Sequence, residues 1–135
     1  MYSHILVPIA ADHDPHTGKA LNIARALADK GAKITALTVV EQMPGYIINQ
    51  LPEGQVQRMK AEVETALKAE LGGAGDVAVV VVEGHSARTI LDFAEEKGVD
   101  CIVMASHRPD ITDYFLGSTA ARVVRHARCA VHVLR

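Results

Sequence analysis

Five short apolar runs alternate with four amphipathic stretches, and this alternation restricts the fold more than any other feature of the sequence. The runs are rich in Val, Ile, Leu and Ala, and the first four show little apolar–polar alternation. Such runs are typical of strands buried on both faces of a parallel sheet. The predicted strands are Ile5–Ile9, Ile34–Val40, Val77–Val82, Cys101–Ala105 and Ala130–Leu134.

The stretches between the strands repeat apolar residues every three or four positions, as amphipathic helices do. Glycines follow the first three predicted helices and are interpreted as helix stops, at Gly31, Gly72 and Gly98. Ser86 and Ser118 are predicted to cap the third and fourth helices. The strict alternation predicts one α/β domain over residues 1–135, with a parallel five-stranded sheet and helices on both faces.

Two strand orders are common for such a sheet, 3-2-1-4-5 and 2-1-3-4-5. A ligand would bind beside strand one, next to strand four in the first order and next to strand three in the second. Strand three ends in a short turn, Glu83–Ser86, in which Gly84 is interpreted as structural. The end of strand four is richer in polar groups, and it favours the order 3-2-1-4-5.

Strand four leads into Ser106–Asp110, and the chain reaches Gly117–Thr119 just before the last helix. Hydroxyls and backbone N–H groups at a helix N-terminus form an anion site. His107 and Arg108 lie on the opposing arm of the same loop, and Arg108 can make a forked contact with phosphate oxygens.

A purely structural alternative also fits this loop, with Gly117 as a turn and Ser118 as an N-cap. A full capping box would place Glu or Gln at position 121, where the chain has Ala121. This difference favours a ligand, because the first-turn donors then lack one side-chain partner.

Charge and composition disfavour several classes of partner. Fourteen basic and sixteen acidic residues give a net charge of −2, which disfavours non-specific nucleic-acid binding. No apolar stretch approaches the ~20 residues of a membrane helix, and no signal peptide is recognisable. Cys101 and Cys129 lie in apolar contexts and are predicted to be buried free thiols, which fits a cytoplasmic protein.

Three other segments have alternative interpretations. Asp12–His16 contains metal-ligating residue types, but such residues are also ordinary near a helix start, so no metal site is predicted. The irregular region Glu41–Glu53 has the length of a lid, an interface or a mobile segment. A basic run on the last helix is predicted to be a solvated face; it consists of Arg122, Arg125, His126 and Arg128.

Several segments together resemble the universal stress protein family, most closely its F/G-type branch. They are Ile5–Pro8, Glu83–Gly84, Gly98–Asp100, Ile102–Thr112, Leu116–Ser118, Val123–Ala127 and Cys129–Val131. The resemblance implies a Rossmann-like sheet of the adenine nucleotide alpha hydrolase type, in the order 3-2-1-4-5. It also implies a homodimer in which the Ala130–Leu134 strands of two subunits pair.

The family resemblance further implies an ATP-binding motif, which is altered in this chain. Ala105 and Arg108 occupy two glycine positions, and eight residues instead of nine separate Arg108 from Gly117. Ala10 stands where the family commonly has an aspartate, and Asp12 is a candidate substitute near the ribose or base. The implied nucleotide contacts are Pro8, Ile9, Ala10, Val40, Met104, Ala105, His107, Arg108, Gly117, Ser118, Thr119 and Ala120.

The sequence therefore predicts a cytoplasmic, non-enzymatic regulatory protein that binds ATP or another adenine nucleotide, with or without Mg²⁺. It would act as a homodimer, together with an unidentified regulatory protein. One alternative is a dimeric interaction module that binds no nucleotide, which Ala10 and Ala105 favour. The other alternative is a slow nucleotide hydrolase.

Overall fold

Strands and helices alternate along the chain as predicted, with one further short helix, α2, inside the irregular Glu41–Glu53 region. The computed structural model describes residues 1–10, 16–41, 45–71, 75–106 and 117–135, with the backbone alone at residue 48. The elements are β1 (Tyr2–Pro8), α1 (Thr17–Leu27), β2 (Ala28–Glu41), α2 (Gly45–Ile48), α3 (Gln55–Glu70), β3 (Val77–Gly84), α4 (Ser86–Glu96), β4 (Cys101–Ala105), α5 (Ser118–His126) and β5 (Ala130–Leu134).

The five strands form one sheet in the order β3-β2-β1-β4-β5. All neighbouring strands are parallel. The predicted order 3-2-1-4-5 is therefore confirmed, and the order 2-1-3-4-5 is excluded. Ile5, Leu6 and Val7 of the central strand are completely buried. Helices cover both faces of this strand, which explains why its sequence lacks alternation.

Each face of the sheet has its own apolar core. On one face, Ile5 and Val7 pack with Ala24 of α1 and Leu67 of α3. On the other face, Leu6 belongs to the cluster that contains Ile90 of α4 and Val123 of α5. The α4–α5 layer therefore lies on the face of the sheet to which Leu6 belongs.

Two of the predicted glycine stops can be compared with the structure, and they differ. Gly98 follows α4 with φ +66°, and the bond from Val99 N to Ala94 O, 2.9 Å long, closes a Schellman motif. Gly31 was predicted to end the first helix, and this is wrong, because α1 ends at Leu27 and the chain is already extended at Ala28. Gly31 has φ +79° inside β2, where the register with β1 shifts. Gly72 lies outside the described residues.

The predicted capping roles of Ser86 and Ser118 are also wrong. Both serines are the first residues of their helices, and the capping positions are His85 and Gly117. Neither helix start has a side-chain cap hydrogen bond. The first-turn amides of α4 and α5 are therefore not used by a capping side chain.

The Asp100 carboxylate joins the start of β1 to the start of β4. It accepts hydrogen bonds from Ser3 N at 2.9 Å, Ser3 Oγ at 2.9 Å and His4 N at 3.0 Å. The Asp100 N–H in turn donates to His4 O at 3.0 Å. This anchor fixes the register in which Leu6 pairs with Ile102, and so it sets where the two strands end.

Asp100 is expected to make folding stability depend on pH. Burial raises the pKa of its carboxyl, but the hydrogen bonds from Ser3 and His4 outweigh this, and the pKa lies below the usual value. A lowered pKa stabilises the fold above the unfolded-state pKa of about 3.9, and this stabilisation is lost as the pH falls through the folded-state pKa. Asp100→Asn should cost about 1–2 kcal/mol at neutral pH, and the cost should shrink in acid.

Urea denaturation between neutral pH and about pH 3 tests this pH dependence. Asp92→Asn is the matched control, because Asp92 is exposed and its ion pair with Arg88, also exposed, is long at 3.9 Å. A cost of Asp100→Asn that stays constant over the whole pH range would contradict the expectation.

Candidate functional site

A cavity of about 350 Å³ opens at the carboxyl ends of β1, β2 and β4. Its volume is within the range of small-molecule sites, roughly 300–1,000 Å³. Its position is the crevice where the winding of the sheet reverses, between β1 and β4. The lining residues are Pro8, Ile9, Ala10, Leu37, Val39, Glu41, Ser86, Ile90, Met104, Ala105, Gly117, Ser118, Thr119 and Ala120.

The ends of β1 and β2 form one side of the cavity, which is apolar except for Glu41. The chain continues beside β2 after β1 ends, because Ile9 N donates to Leu37 O at 2.8 Å. Leu37, Val39 and Glu41 then line the cavity at every second position of β2. Pro8, Ile9 and Ala10, all predicted as site residues, lie along the same cavity.

Val40 was also predicted as a site residue, and whether it contacts a ligand stays a prediction. Val40 does not line this cavity, whereas its neighbours Val39 and Glu41 do. Successive side chains of a strand point to opposite faces, so alternate side chains of β2 face the cavity. Thr38, Val39 and Val40 are all compatible with a buried strand, and the sequence does not show which of them faces the cavity.

The start of α5 forms the opposite side of the cavity, through Gly117–Ala120. Ala121 N donates to Gly117 O at 2.9 Å. The three amides before Ala121, those of Ser118, Thr119 and Ala120, belong to the first turn and have no intrahelical acceptor. The first turn of α5 contains no acidic residue. The partial positive charge of this helix end is therefore available to an anion.

Ser106 links the start of α5 to the sheet. Its backbone N–H donates to Leu134 O at 2.8 Å. Its side-chain Oγ accepts from Gly117 N at 3.4 Å. Ser106 directly follows β4, so its hydrogen bond with Gly117 N holds the start of α5 close to the end of that strand.

The start of α4 also reaches the cavity, through Ser86 and Ile90. Sequence reasoning missed both residues, together with Leu37, Val39 and Glu41. The structural interpretation of Gly84 agrees with its surroundings, because a Cβ there would overlap Thr89 Oγ1. Gly84 brings α4 close to the strand end and does not itself line the cavity.

Three of the predicted site residues, Asp12, His107 and Arg108, lie outside the described residues. Most of the Asp12–His16 segment does so as well. The described ranges contain no group of three His, Cys, Asp or Glu side chains suited to a metal ion.

The cysteines, the basic run and the helix lengths can be compared with the remaining sequence predictions. Cys101 and Cys129 are free; burial raises the pKa of the Cys101 thiol to about 11, and Cys129 is only half-buried rather than buried. The basic run at Arg122, Arg125, His126 and Arg128 is exposed, as predicted. Within the described ranges, no helix combines the length and the apolar character needed to cross a membrane.

The strand order and the position of the cavity define a class, the Rossmann-like α/β proteins with a ligand-sized crevice at the carboxyl edge of a parallel sheet. A sequence profile of the universal stress protein family matches this chain over residues 1–135. The chain therefore belongs to the universal stress protein family.

Relatives and solved structures agree with this assignment. The chain is 29% identical over 143 residues to universal stress protein G of Salmonella typhimurium, with 100% of each chain covered. It is also similar to the solved structure of UspA from Lactobacillus plantarum. The TM-score is 0.75 at 27% identity, with 99% of this chain and 98% of that chain covered.

Two further solved structures contain nucleotides. One is a universal stress protein in complex with cAMP, with a TM-score of 0.63 at 21% identity, covering 99% and 97% of the two chains. The other is the universal stress protein from Archaeoglobus fulgidus in complex with dAMP, with a TM-score of 0.60 at 16% identity, covering 99% and 98%. At these identities, the likeness concerns the fold.

Proposed function

We propose that this chain binds an adenine nucleotide in the cavity, with the phosphates at the start of α5. The observation that carries the proposal is the unequal chemistry of the cavity walls. The wall at Ser118–Ala120 has backbone donors and the positive end of a helix. The wall formed by Ile9, Leu37 and Val39 is apolar and suits the flat face of a base.

Two similar proteins support the adenine nucleotide as the ligand class, because they were solved with cAMP and with dAMP. ATP is the proposed ligand within this class, with its phosphates bound by the Gly117–Ala120 segment. Glu41 is the sole carboxylate among the described lining residues. Any Mg²⁺ would therefore be held mainly by the phosphates and by water.

The proposed role is regulatory binding rather than catalysis. The described cavity wall contains no His, Cys or Lys, the usual general bases and nucleophiles besides carboxylates. The protein would act as a homodimer, and nucleotide binding would change how this homodimer binds an unidentified regulatory protein. Free thiols at Cys101 and Cys129 fit action in the reducing cytoplasm.

The proposed homodimer uses β5. This strand pairs with β4 on one side, and no other described strand pairs with it. Ala130 and His132 are exposed, whereas the other residues of β5 are half-buried. Pairing of two β5 strands would satisfy the backbone groups of a sheet edge that is otherwise open to aggregation.

Calorimetric and thermal titrations with AMP, ADP and ATP, with and without Mg²⁺, test the proposed function. A ligand at a hundredfold excess over its Kd should stabilise the fold by about 2.7 kcal/mol. Adenosine should bind more weakly than AMP, because it offers no anion to α5. Sedimentation equilibrium on the same samples should give twice the 14.5 kDa chain mass.

An unchanged melting temperature at millimolar ATP with Mg²⁺ would contradict nucleotide binding. That result, with a dimer mass, would favour the nucleotide-free interaction module. Steady release of phosphate by the purified protein would instead favour the hydrolase.

A further inference from the structure

Glu41 differs in charge from the rest of the described cavity wall. It is the sole charged side chain among the fourteen described residues that line the cavity. It is exposed, and it has no hydrogen bond or ion pair with another described residue. Among the described residues, nothing occupies this carboxylate, so it can accept hydrogen bonds from a ligand.

The sheet order determines how far Glu41 lies from the start of α5. Glu41 ends β2, α5 is reached from the end of β4, and β1 lies between the two strands. Neighbouring strands are about 4.8 Å apart, so β2 and β4 are separated by about 10 Å across the sheet. Glu41 also lies four residues beyond Leu37, the partner of Pro8, so it stands farther along the strand direction than the end of β1. The cavity therefore has a positive helix end and a negative carboxylate end.

This polarity restricts the ligand. A carboxylate only accepts hydrogen bonds, and it repels a second anion. A ligand that spans the cavity must present its phosphate to α5 and N–H or O–H donors to Glu41. In a nucleotide, the ribose adjoins the phosphate, whereas the exocyclic group of the base lies at the far end.

We propose that Glu41 is a specificity-determining residue that accepts a hydrogen bond from the 6-amino group of adenine. This inference rests on the proposed function. A 6-oxo purine such as hypoxanthine would turn a carbonyl oxygen toward the carboxylate, so two acceptors would face each other at this position. Its neighbouring N1–H donor points in another direction and would reach Glu41 only after the base shifts. The site consequently distinguishes 6-amino from 6-oxo purine nucleotides, through a residue at the end of β2.

Titration calorimetry of AMP, IMP and 2′-deoxy-AMP against the full chain tests this assignment. The natural protein should bind AMP about tenfold more tightly than IMP, the effect of one hydrogen bond to a charged group at an exposed site. Glu41→Gln should reduce this preference to about twofold or less, because the amide side chain can both donate and accept.

Glu83→Gln is the matched control, because Glu83 pairs with Val40 at the same level of the sheet but does not line the cavity. It should keep the full preference for AMP, and all three proteins should melt at similar temperatures.

Three other results of the calorimetric titrations would contradict the proposals. An AMP-to-IMP ratio that is the same in the natural protein and in Glu41→Gln would overturn the assignment of Glu41. The natural protein could instead bind AMP and IMP equally but 2′-deoxy-AMP more weakly, with Glu41→Gln removing that difference. This result would overturn the base contact and move the hydrogen bond to the ribose. The failure of every nucleotide to bind the natural protein would overturn the proposed function, and the Glu41 inference with it.

Discussion

Leu6→Ala is expected to lower the free energy of unfolding by about 3–4 kcal/mol. Leu6 is completely buried in the central strand and belongs to the core cluster beneath α4 and α5. Truncation removes the transfer free energy of the side chain and leaves a cavity between the sheet and the α4–α5 layer. The neighbouring strands β2 and β4 limit how far β1 can move to fill it, and such changes cost about 2–5 kcal/mol. The expected loss is a large part of the total stability of roughly 5–15 kcal/mol.

Urea denaturation followed by circular dichroism measures this loss. Val124→Ala is the control, because Val124 lies on α5 with 44% of its surface exposed. Its cost should stay within about 0.5 kcal/mol. A cost for Leu6→Ala below about 1 kcal/mol would contradict the central position of β1.

Ser118→Asp is expected to weaken AMP binding at least tenfold, and ATP binding more. Ser118 is exposed and is the first residue of α5, so the new carboxylate would stand at the proposed phosphate position. Repulsion of about 1.4 kcal/mol corresponds to a tenfold change in Kd. An acidic residue in the first turn stabilises a helix, so the variant should fold at least as well as the natural protein.

Gln55→Asp separates this local repulsion from a general effect of charge. Gln55 is the first residue of α3, so the same change is made at the same helical position, and it does not line the cavity. Its Kd should stay within about twofold of the natural value. Since salt screens exposed charges, the effect of Ser118→Asp should shrink at high ionic strength. An unchanged Kd in Ser118→Asp would place the phosphates elsewhere.

The two ends of the cavity connect these expectations. The Ser118 variant tests the anion end, whereas the Glu41 variant tests the end that discriminates among bases. The two variants should act on different parts of one ligand, so their effects on Kd should be nearly additive. Together the two variants test the proposed phosphate contact at α5 and the proposed base contact at Glu41.

Much of this site could be predicted from sequence because its residues follow strand ends. Pro8–Ala10, Met104–Ala105 and Gly117–Ala120 were predicted as site residues, and the structure places them around one cavity. Carboxyl ends of parallel strands meet at one edge of a sheet, so chain order alone brings these segments near each other. Whether they bind a nucleotide stays a prediction.

The missed residues share a different property. The cavity is lined by one face of β2, which carries the side chains of Leu37, Val39 and Glu41. Ser86 reaches the cavity because Gly84 allows α4 to approach the strand end. A strand that is apolar on both faces carries no signal for which alternate residues face a ligand. Similarly, a glycine suits a helix stop and a strand irregularity equally well, which is why the role of Gly31 was wrong.

The sequence by itself determined the alternation of strands and helices, the burial of β1 on both faces and the accumulation of polar groups after β4. These follow from local periodicity and composition, which act over neighbouring residues. Only the tertiary structure decided which face of β2 meets the cavity and that Glu41 stands across it from α5. Register and helix approach depend on packing between distant segments, and this information is not local to any stretch of the chain.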